Sequence, residues 1–495
     1  MKKCFVLLFL SLFLCNLTYG QRVVTFYRYT IDSVLLTPHG DWAGDVRNDN
    51  PPWAYDAFAT TAGNKDVVWY SNNSLGTTWG PKNTIYSSDR TCTEVSAGQL
   101  DADNWIDAVS SFVKSDSIAW SFLAIHKNNG NGTFTTTKLD SVKARLRQTR
   151  LVDVNNDGLL DIIVAASAPR TSAIFESGVY WYRNNGGMSF TKNFIATADA
   201  WKVDAFDNVD NDNHLDIVAS EEFFSGQDVS ASARIILYKN NGAEGFSQVV
   251  IEANLGRNLG DPPGGGGVRC ADFDNDNKID IVGSSSYNGV LYWYKNNDGT
   301  SFTRNAIDNM ASNIDGIDIG DFEPDGNMDI VACGRNYWIR WYHNNGNGTF
   351  TMNSIDTQYR LFDLPFVTYL DGDTCPDIVV TEATNTSGWV FAYLNHCIAS
   401  VEEKTSITQN NWLKTPSVVN KNSVDITFGI VNKGKIKLEI LDITGRVINI
   451  IGNDYYETGV YKALWNTNGK PNGTYFLSLK SENTPVITKR ITIVR

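Results

Sequence analysis

Glutamate is scarce in this chain of 495 residues: 13 of its 55 acids are Glu and 42 are Asp. Because Glu favours helices while Asp, Asn and Gly favour turns and caps, an all-helical protein is excluded. Basic residues are also in deficit, with 42 Lys and Arg and a formal charge of −13. That balance argues against a general binder of nucleic acid or anionic membranes. Beyond the first twenty residues there is no run of about 18 apolar residues, so no further segment reads as membrane-spanning. Only five His are present, and the sequence holds no HExxH, no GxSxG nucleophile elbow and no Walker loop. Cysteines number seven, of which five (Cys92, Cys270, Cys333, Cys375, Cys397) follow the N-terminal segment. Five is odd and they are widely scattered, which excludes a disulfide scaffold. Cys375 with Cys397 is the expected pair, and the other three read as small buried apolar residues.

What is abundant is 50 Asn, 40 Gly, 12% aromatic and 42% apolar residues, enough to bury a core. The N-terminus reads as a cleaved secretory signal over residues 1–20. It has a basic start at Lys2 and Lys3, an apolar stretch from Cys4 to Cys15, and small residues at Thr18 and Gly20. The mature chain is expected to begin at Gln21.

Self-similarity dominates the next several hundred residues. The string Asp-x-Asp-x-Asp-Gly-x-x-Asp followed by an apolar run appears as DVNNDGLLDIIVAAS from Asp153, NVDNDNHLDIVAS from Asn208, DFDNDNKIDIVGSS from Asp272 and DFEPDGNMDIVACG from Asp321. Weaker copies are QLDADNWIDAVSS from Gln99 and YLDGDTCPDIVVTEA from Tyr369, and a degenerate one ends at Asp56. The final Asp thus recurs at 56, 107, 161, 216, 280, 329 and 377. A second string, such as VYWYRNNGG at 179–187 or LYWYKNNDG at 291–299, alternates apolar and aromatic residues into Asn-Asn-Gly, a strand entering a hairpin turn. A third, Phe followed by Ile/Leu-Asp, comes after the turn, as in FTRNAID at 302–308 and FTMNSID at 350–356. Seven repeats of short strands without helical periodicity predict an all-β fold: a seven-bladed β-propeller over residues 21–397. The seventh repeat lacks its Phe…Ile-Asp strand, and TFYRYTIDSV at 25–34 has no repeat to belong to. These residues are therefore expected to complete the last blade and close the ring.

In each loop the acids at positions 1, 3, 5 and 9, with a carbonyl at position 7, can converge as an all-oxygen shell. Hard, charged oxygen ligands suit Ca²⁺. Gly or Asn at position 6 fits a residue needing positive φ. The loops and the WYxNNG strands resemble FG-GAP/VCBS repeats, the blades of integrin-α-like propellers. That resemblance implies one Ca²⁺ per intact loop. It assigns full sites to Asp153, Asn155, Asp157 and Asp161; to Asp272, Asp274, Asp276 and Asp280; and to Asp321, Glu323, Asp325 and Asp329. A nearly full one is Asn208, Asp210, Asp212 and Asp216. The second and seventh loops keep Asp101, Asp103 and Asp107, and Asp371, Asp373 and Asp377, with Gln99 and Tyr369 in place of the first acid. An un-neutralised cluster of such carboxylates would repel itself, so the acidity reads as an unfilled metal count. Trp69, Trp181, Trp293 and Trp341 read as core strand residues, and His343, the x of WYxNNG, as an exposed residue beside a turn.

After a polar linker expected over residues 398–422, short β-type runs predict a small β-sandwich over 423–495. The strings ILDITGRVI, ETGVYKALWN, PNGTYFLSL and KRITIVR resemble the C-terminal sorting domain of type IX secretion substrates. This implies the type IX machinery as a partner and export across the outer membrane, to the cell surface or beyond. Two functions are expected to compete. One is a binding or adhesion module for an extracellular glycan or protein. The other is a polysaccharide-active enzyme with its site in the propeller funnel. The long spacing between Asp216 and Asp280 marks Glu222–Ala233 and Asn254–Val268 as expected ligand-facing loops.

Overall fold

The computed structural model describes residues 24–395 and 411–494 except 36–37, 49–54, 74, 115–119, 168–175, 199, 222–232, 256–264, 286–288, 310–313, 335–337, 357–361, 372, 374 and 384–387 in the first stretch and 416–417, 420–422, 457 and 482–483 in the second. All of its regular elements are strands. Two compact units emerge, one spanning Thr25–His396 and the other carrying the C-terminal region from Cys397.

The first unit is a ring of seven four-stranded antiparallel sheets. Their innermost strands are Pro38–Gly44, Thr91–Gly98, Arg145–Val152, Ala200–Asp207, Gly265–Ala271, Ile314–Gly320 and Phe362–Thr368. Each of these packs beside the next, and Phe362–Thr368 packs beside Pro38–Gly44, so the ring closes. The final Asp of every repeat is the first residue of a second strand: Asp56–Thr61, Asp107–Val113, Asp161–Ser167, Asp216–Glu221, Asp280–Ser285, Asp329–Gly334 and Asp377–Ala383. The third strands end in the Asn of Asn-Asn-Gly, as in Gly178–Asn184 and Val290–Asn296. Second strands such as Asp161–Ser167 are buried at every position, because neighbouring blades cover both faces. Outermost strands such as Phe302–Asp308 are partly exposed, as befits a sheet edge. Trp69, Trp181, Trp293 and Trp341 are all buried, as expected of core strand residues.

The seventh sheet confirms the expected closure. Its outermost strand is Phe26–Leu35, paired antiparallel with Gly388–Asn395 from Phe26 opposite Asn395 to Leu35 opposite Gly388. Tyr70 of the first blade then donates to Asp32 of this strand across the seam at 2.6 Å. The same tyrosine-to-acid bond joins other neighbours: Tyr182 to Asp140 at 2.7 Å, Tyr342 to Asp308 at 2.9 Å and Tyr393 to Asp356 at 2.8 Å. The Asp of the Phe…Ile-Asp string is thus a blade-to-blade acceptor.

The C-terminal unit packs a three-stranded sheet (Trp412–Lys414, Ser423–Ile430, Gly459–Asn466) with a five-stranded one (Val418–Val419, Thr484–Ile493, Gly473–Ser481, Gly434–Leu441, Val447–Tyr456). Its core includes Ile426, Phe428, Leu438, Ile440, Trp465 and Leu477. The expected linker is corrected here, since Trp412–Lys414 and Val418–Val419 are strands of this sandwich. Trp412 lies over Gly429, where an added Cβ would come within 2.2 Å of the indole nitrogen.

Candidate metal centres

Each Asp-rich loop joins an innermost strand to a second strand, and its shape comes from its own hydrogen bonds. The position-1 carboxylate accepts from the amides four and five residues on. Asp153 does so from Asp157 and Gly158, Asp272 from Asp276 and Asn277, and Asp321 from Asp325 and Gly326. Position 6 has positive φ as expected, at Asn104, Gly158, Asn213, Asn277 and Gly326. Position 4 does too, at Asn156, Asn211 and Asn275, which explains why Asn, the non-glycine residue most tolerant of that region, recurs there.

The final Asp does more than face a loop. It is fully buried in all seven blades. In repeats two to seven one oxygen accepts the amide seven residues earlier and the other accepts the amide of the Asn ending the third strand. Asp161 takes Val154 at 3.1 Å and Asn184 at 2.7 Å, and Asp280 takes Phe273 at 3.3 Å and Asn296 at 2.7 Å. Burial pushes the carboxyls of Asp56, Asp107, Asp161, Asp216 and Asp280 up to about 6, against the pull of these amides. That Asn side chain reaches into the preceding blade. Asn184 donates to Leu100 O, Asn240 to Val154 O, Asn296 to Val209 O, Asn344 to Phe273 O and Asn395 to Phe322 O. Asn128 donates to Val46 O, and Asn72 to Leu370 O across the seam at 2.8 Å. The repeated Asn is a staple around the whole ring, a role the sequence reading assigned only to a turn.

The expectation of un-neutralised carboxylates is corrected in several loops, because the x of WYxNNG lies in the third strand directly opposite the acids. In the second repeat Lys127 pairs with Asp101 and, at 2.7 Å, with Asp103. In the fourth Lys239 lies 2.7 Å from Asp210, and in the fifth Lys295 pairs with Asp274 and, at 2.7 Å, with Asp276. Asp101 and Asp103 hold the Lys127 ammonium above its ordinary value. In the first, Arg47 reaches Asp56 at 3.2 Å. The third repeat differs: Arg183 turns to Glu244 of the next blade, and among the described residues no Lys or Arg pairs with Asp153, Asp157 or Asp161.

Two loops bring three donor side chains within 4.8 Å of one another: Asp272, Asp274 and Asp276, and Glu323, Asp329 and His343. In the fifth loop Asp274 Oδ1 is buried with no hydrogen-bond partner, an opening for a hard cation. His343 is the second correction. It is 9% exposed, not an exposed turn residue, and its ring faces Glu323 and Asp329. Hydrogen bonding to Asp329 and then to Glu323 pushes its imidazole up to about 10, while burial pushes the Glu323 carboxyl up to about 7. In the seventh loop Asp373 accepts from Cys375 N and Asp371 from Asp373 N, with Asp377 buried behind them. Cys375 is disulfide-bonded, Cys92, Cys270 and Cys333 are not, and the expected partner Cys397 lies outside the described residues.

A cavity of about 510 Å³ opens between the third and fourth loops, lined by Asp153, Asn155, Trp181, Asn208, His214 and Glu244 among others. The predicted ligand-facing loops at 222–233 and 254–268 fall mostly outside the described residues.

Compared with known families, residues 153–219 and 272–332 match the FG-GAP-like repeat, and residues 420–494 match the secretion system C-terminal sorting domain. The latter implies handling by the type IX machinery and export. No curated protein matches the chain. Among solved structures, that of Saccharomyces cerevisiae Sqt1 is 13% identical, covers 75% of this chain and 98% of its own, and has a TM-score of 0.43. A glucose dehydrogenase structure is 6% identical, covers 74% and 98%, and has a TM-score of 0.38. Likenesses that low carry no argument about function.

Proposed function

We propose that this FG-GAP-repeat propeller with a type IX sorting domain is a secreted or cell-surface calcium-binding module that holds an extracellular glycan or protein ligand. The observation that carries the reading is the third loop and the cavity beside it. Asp153, Asn155, Asp157 and Asp161 form a loop like its neighbours but, among the described residues, with no Lys or Arg paired to its acids, and Asp153 and Asn155 also line the cavity of about 510 Å³. All-oxygen donors of that charge suit Ca²⁺, which when bound would supply fixed positive charge at the cavity wall. The fifth loop, with the buried unpartnered oxygen of Asp274, is the second place whose donors fit. Around the cavity, Asn208, His214 and Glu244 offer donors and acceptors beside the Trp181 indole edge, the mixture that sugar hydroxyls or peptide groups require.

The test is a glycan and protein array probed with the intact mature chain in calcium and in chelator. Calcium-dependent binding that Glu244→Ala weakens supports the reading. Depolymerisation of any glycan on a panel favours the enzymatic alternative instead, and binding indifferent to both calcium and Glu244 contradicts the proposal.

A further inference from the structure

The sixth loop departs from its sisters at two positions at once. Position 3 is Glu323 where the other metal-type loops carry Asp or Asn, and the facing third-strand residue is His343 where repeats two to five carry Lys127, Arg183, Lys239 and Lys295. A lysine can only neutralise a carboxylate, because its ammonium has no lone pair to give. A neutral imidazole has one. His343 Nδ1 lies beside Glu323 and 3.5 Å from Asp329 Oδ1, and the three donor atoms fall within 4.8 Å of one another. Donors about 2.0–2.2 Å from a common tetrahedral centre stand roughly 3.4 Å apart, so the His343–Asp329 separation fits such a centre.

Burial supplies an independent sign. Glu323 is 5% exposed, and among the described residues its Oε2 is buried with no hydrogen-bond partner. A buried carboxylate oxygen left unpaired is costly, and a bound cation would satisfy it. Asp329 is held in place from behind by the amides of Phe322 at 3.1 Å and Asn344 at 2.7 Å, the kind of outer hydrogen bonding that orients a ligating carboxylate.

We propose that Glu323, Asp329 and His343 form a site for a divalent transition metal, Zn²⁺ being the probe ion, distinct in chemistry from the all-oxygen loops of the other blades. One nitrogen and two carboxylates suit zinc and its neighbours, whereas calcium prefers oxygen alone. Two carboxylates with a neutral imidazole balance the charge of the dication.

The experiment uses the intact mature chain, dialysed against zinc in millimolar calcium so that the oxygen loops are saturated. Bound zinc is measured directly, and the visible absorption of a cobalt-substituted sample reports a nitrogen–oxygen ligand field. One zinc per chain is expected, lost in His343→Lys, which installs the cation that the second, fourth and fifth loops use and so preserves charge pairing. Should His343→Lys fail to fold, Glu323→Gln carries the same expectation. A folded wild type that takes up no zinc, or a folded variant that takes up as much, overturns the proposal and leaves an imidazolium–carboxylate pair only.

Discussion

Replacing Asn72 with alanine probes the ring at its seam. Asn72 is 1% exposed; its amide donates to Leu370 O at 2.8 Å in the seventh blade and to Tyr55 O at 3.3 Å in its own. Asn240 does the same at an internal junction, donating to Val154 O and Leu215 O, both at 3.2 Å. Truncation at either position strands two carbonyls, at about 1–3 kcal/mol each, so each variant loses about 2–6 kcal/mol. With roughly 2.1 cal/mol/K of unfolding entropy per residue over a unit of about 370 residues, the melting temperature falls by about 3–8 °C. Melts of wild type, Asn72→Ala and Asn240→Ala at one calcium concentration make the comparison. Equal losses are expected, because a closed ring has no privileged junction. A loss at Asn240 with none at Asn72 would refute closure of the ring between the first and seventh blades, and no loss at either would refute the staple.

Three other outcomes follow from the same geometry. Lys295→Met removes the ammonium beside Asp274 and Asp276, so it should lower the melting temperature in chelator and increase calcium uptake at saturation, read by melts and by equilibrium dialysis. Five buried final aspartates titrate near pH 6 in the fold against 3.8 in the unfolded chain, so the native state binds more protons between those values. Their contribution is therefore lost as pH rises through about 6, and chelated protein should melt higher at pH 5 than at pH 7. Gly429→Ala forces a methyl against Trp412 and should destabilise the C-terminal unit by about 1–3 kcal/mol, measured as an early transition in urea.

The repeat carried most of the fold in plain view. An Asp opening each second strand, an aromatic third strand ending in Asn, and a displaced Phe…Ile-Asp strand at 25–34 were enough to count the blades and close the ring. What lay hidden depends on register between strands distant in sequence. Lys295 meets Asp274 across 21 residues and Asn296 meets Val209 across 87, and neither separation follows from the loop motif. The acidity consequently read as an unfilled metal count, although ammonium groups of the chain already sit in the second, fourth and fifth loops. His343 was misplaced for the same reason: its spot beside a turn suggested solvent, whereas the sheet directs it at Glu323 and Asp329. The linker was misread because Trp412–Lys414 and Val418–Val419 are too short to show a period.

Calcium titration of the mature chain, read by thermal melting, bears most directly on the loops. A site whose ion is present at tenfold its dissociation constant gains about 1.4 kcal/mol, and extracellular sites bind at about 10⁻⁴–10⁻³ M. Millimolar calcium should therefore raise the melting temperature, a chelator should reverse the rise, and Asp153→Asn with Asp157→Asn should diminish it. A melt that neither calcium nor chelator moves would contradict the account.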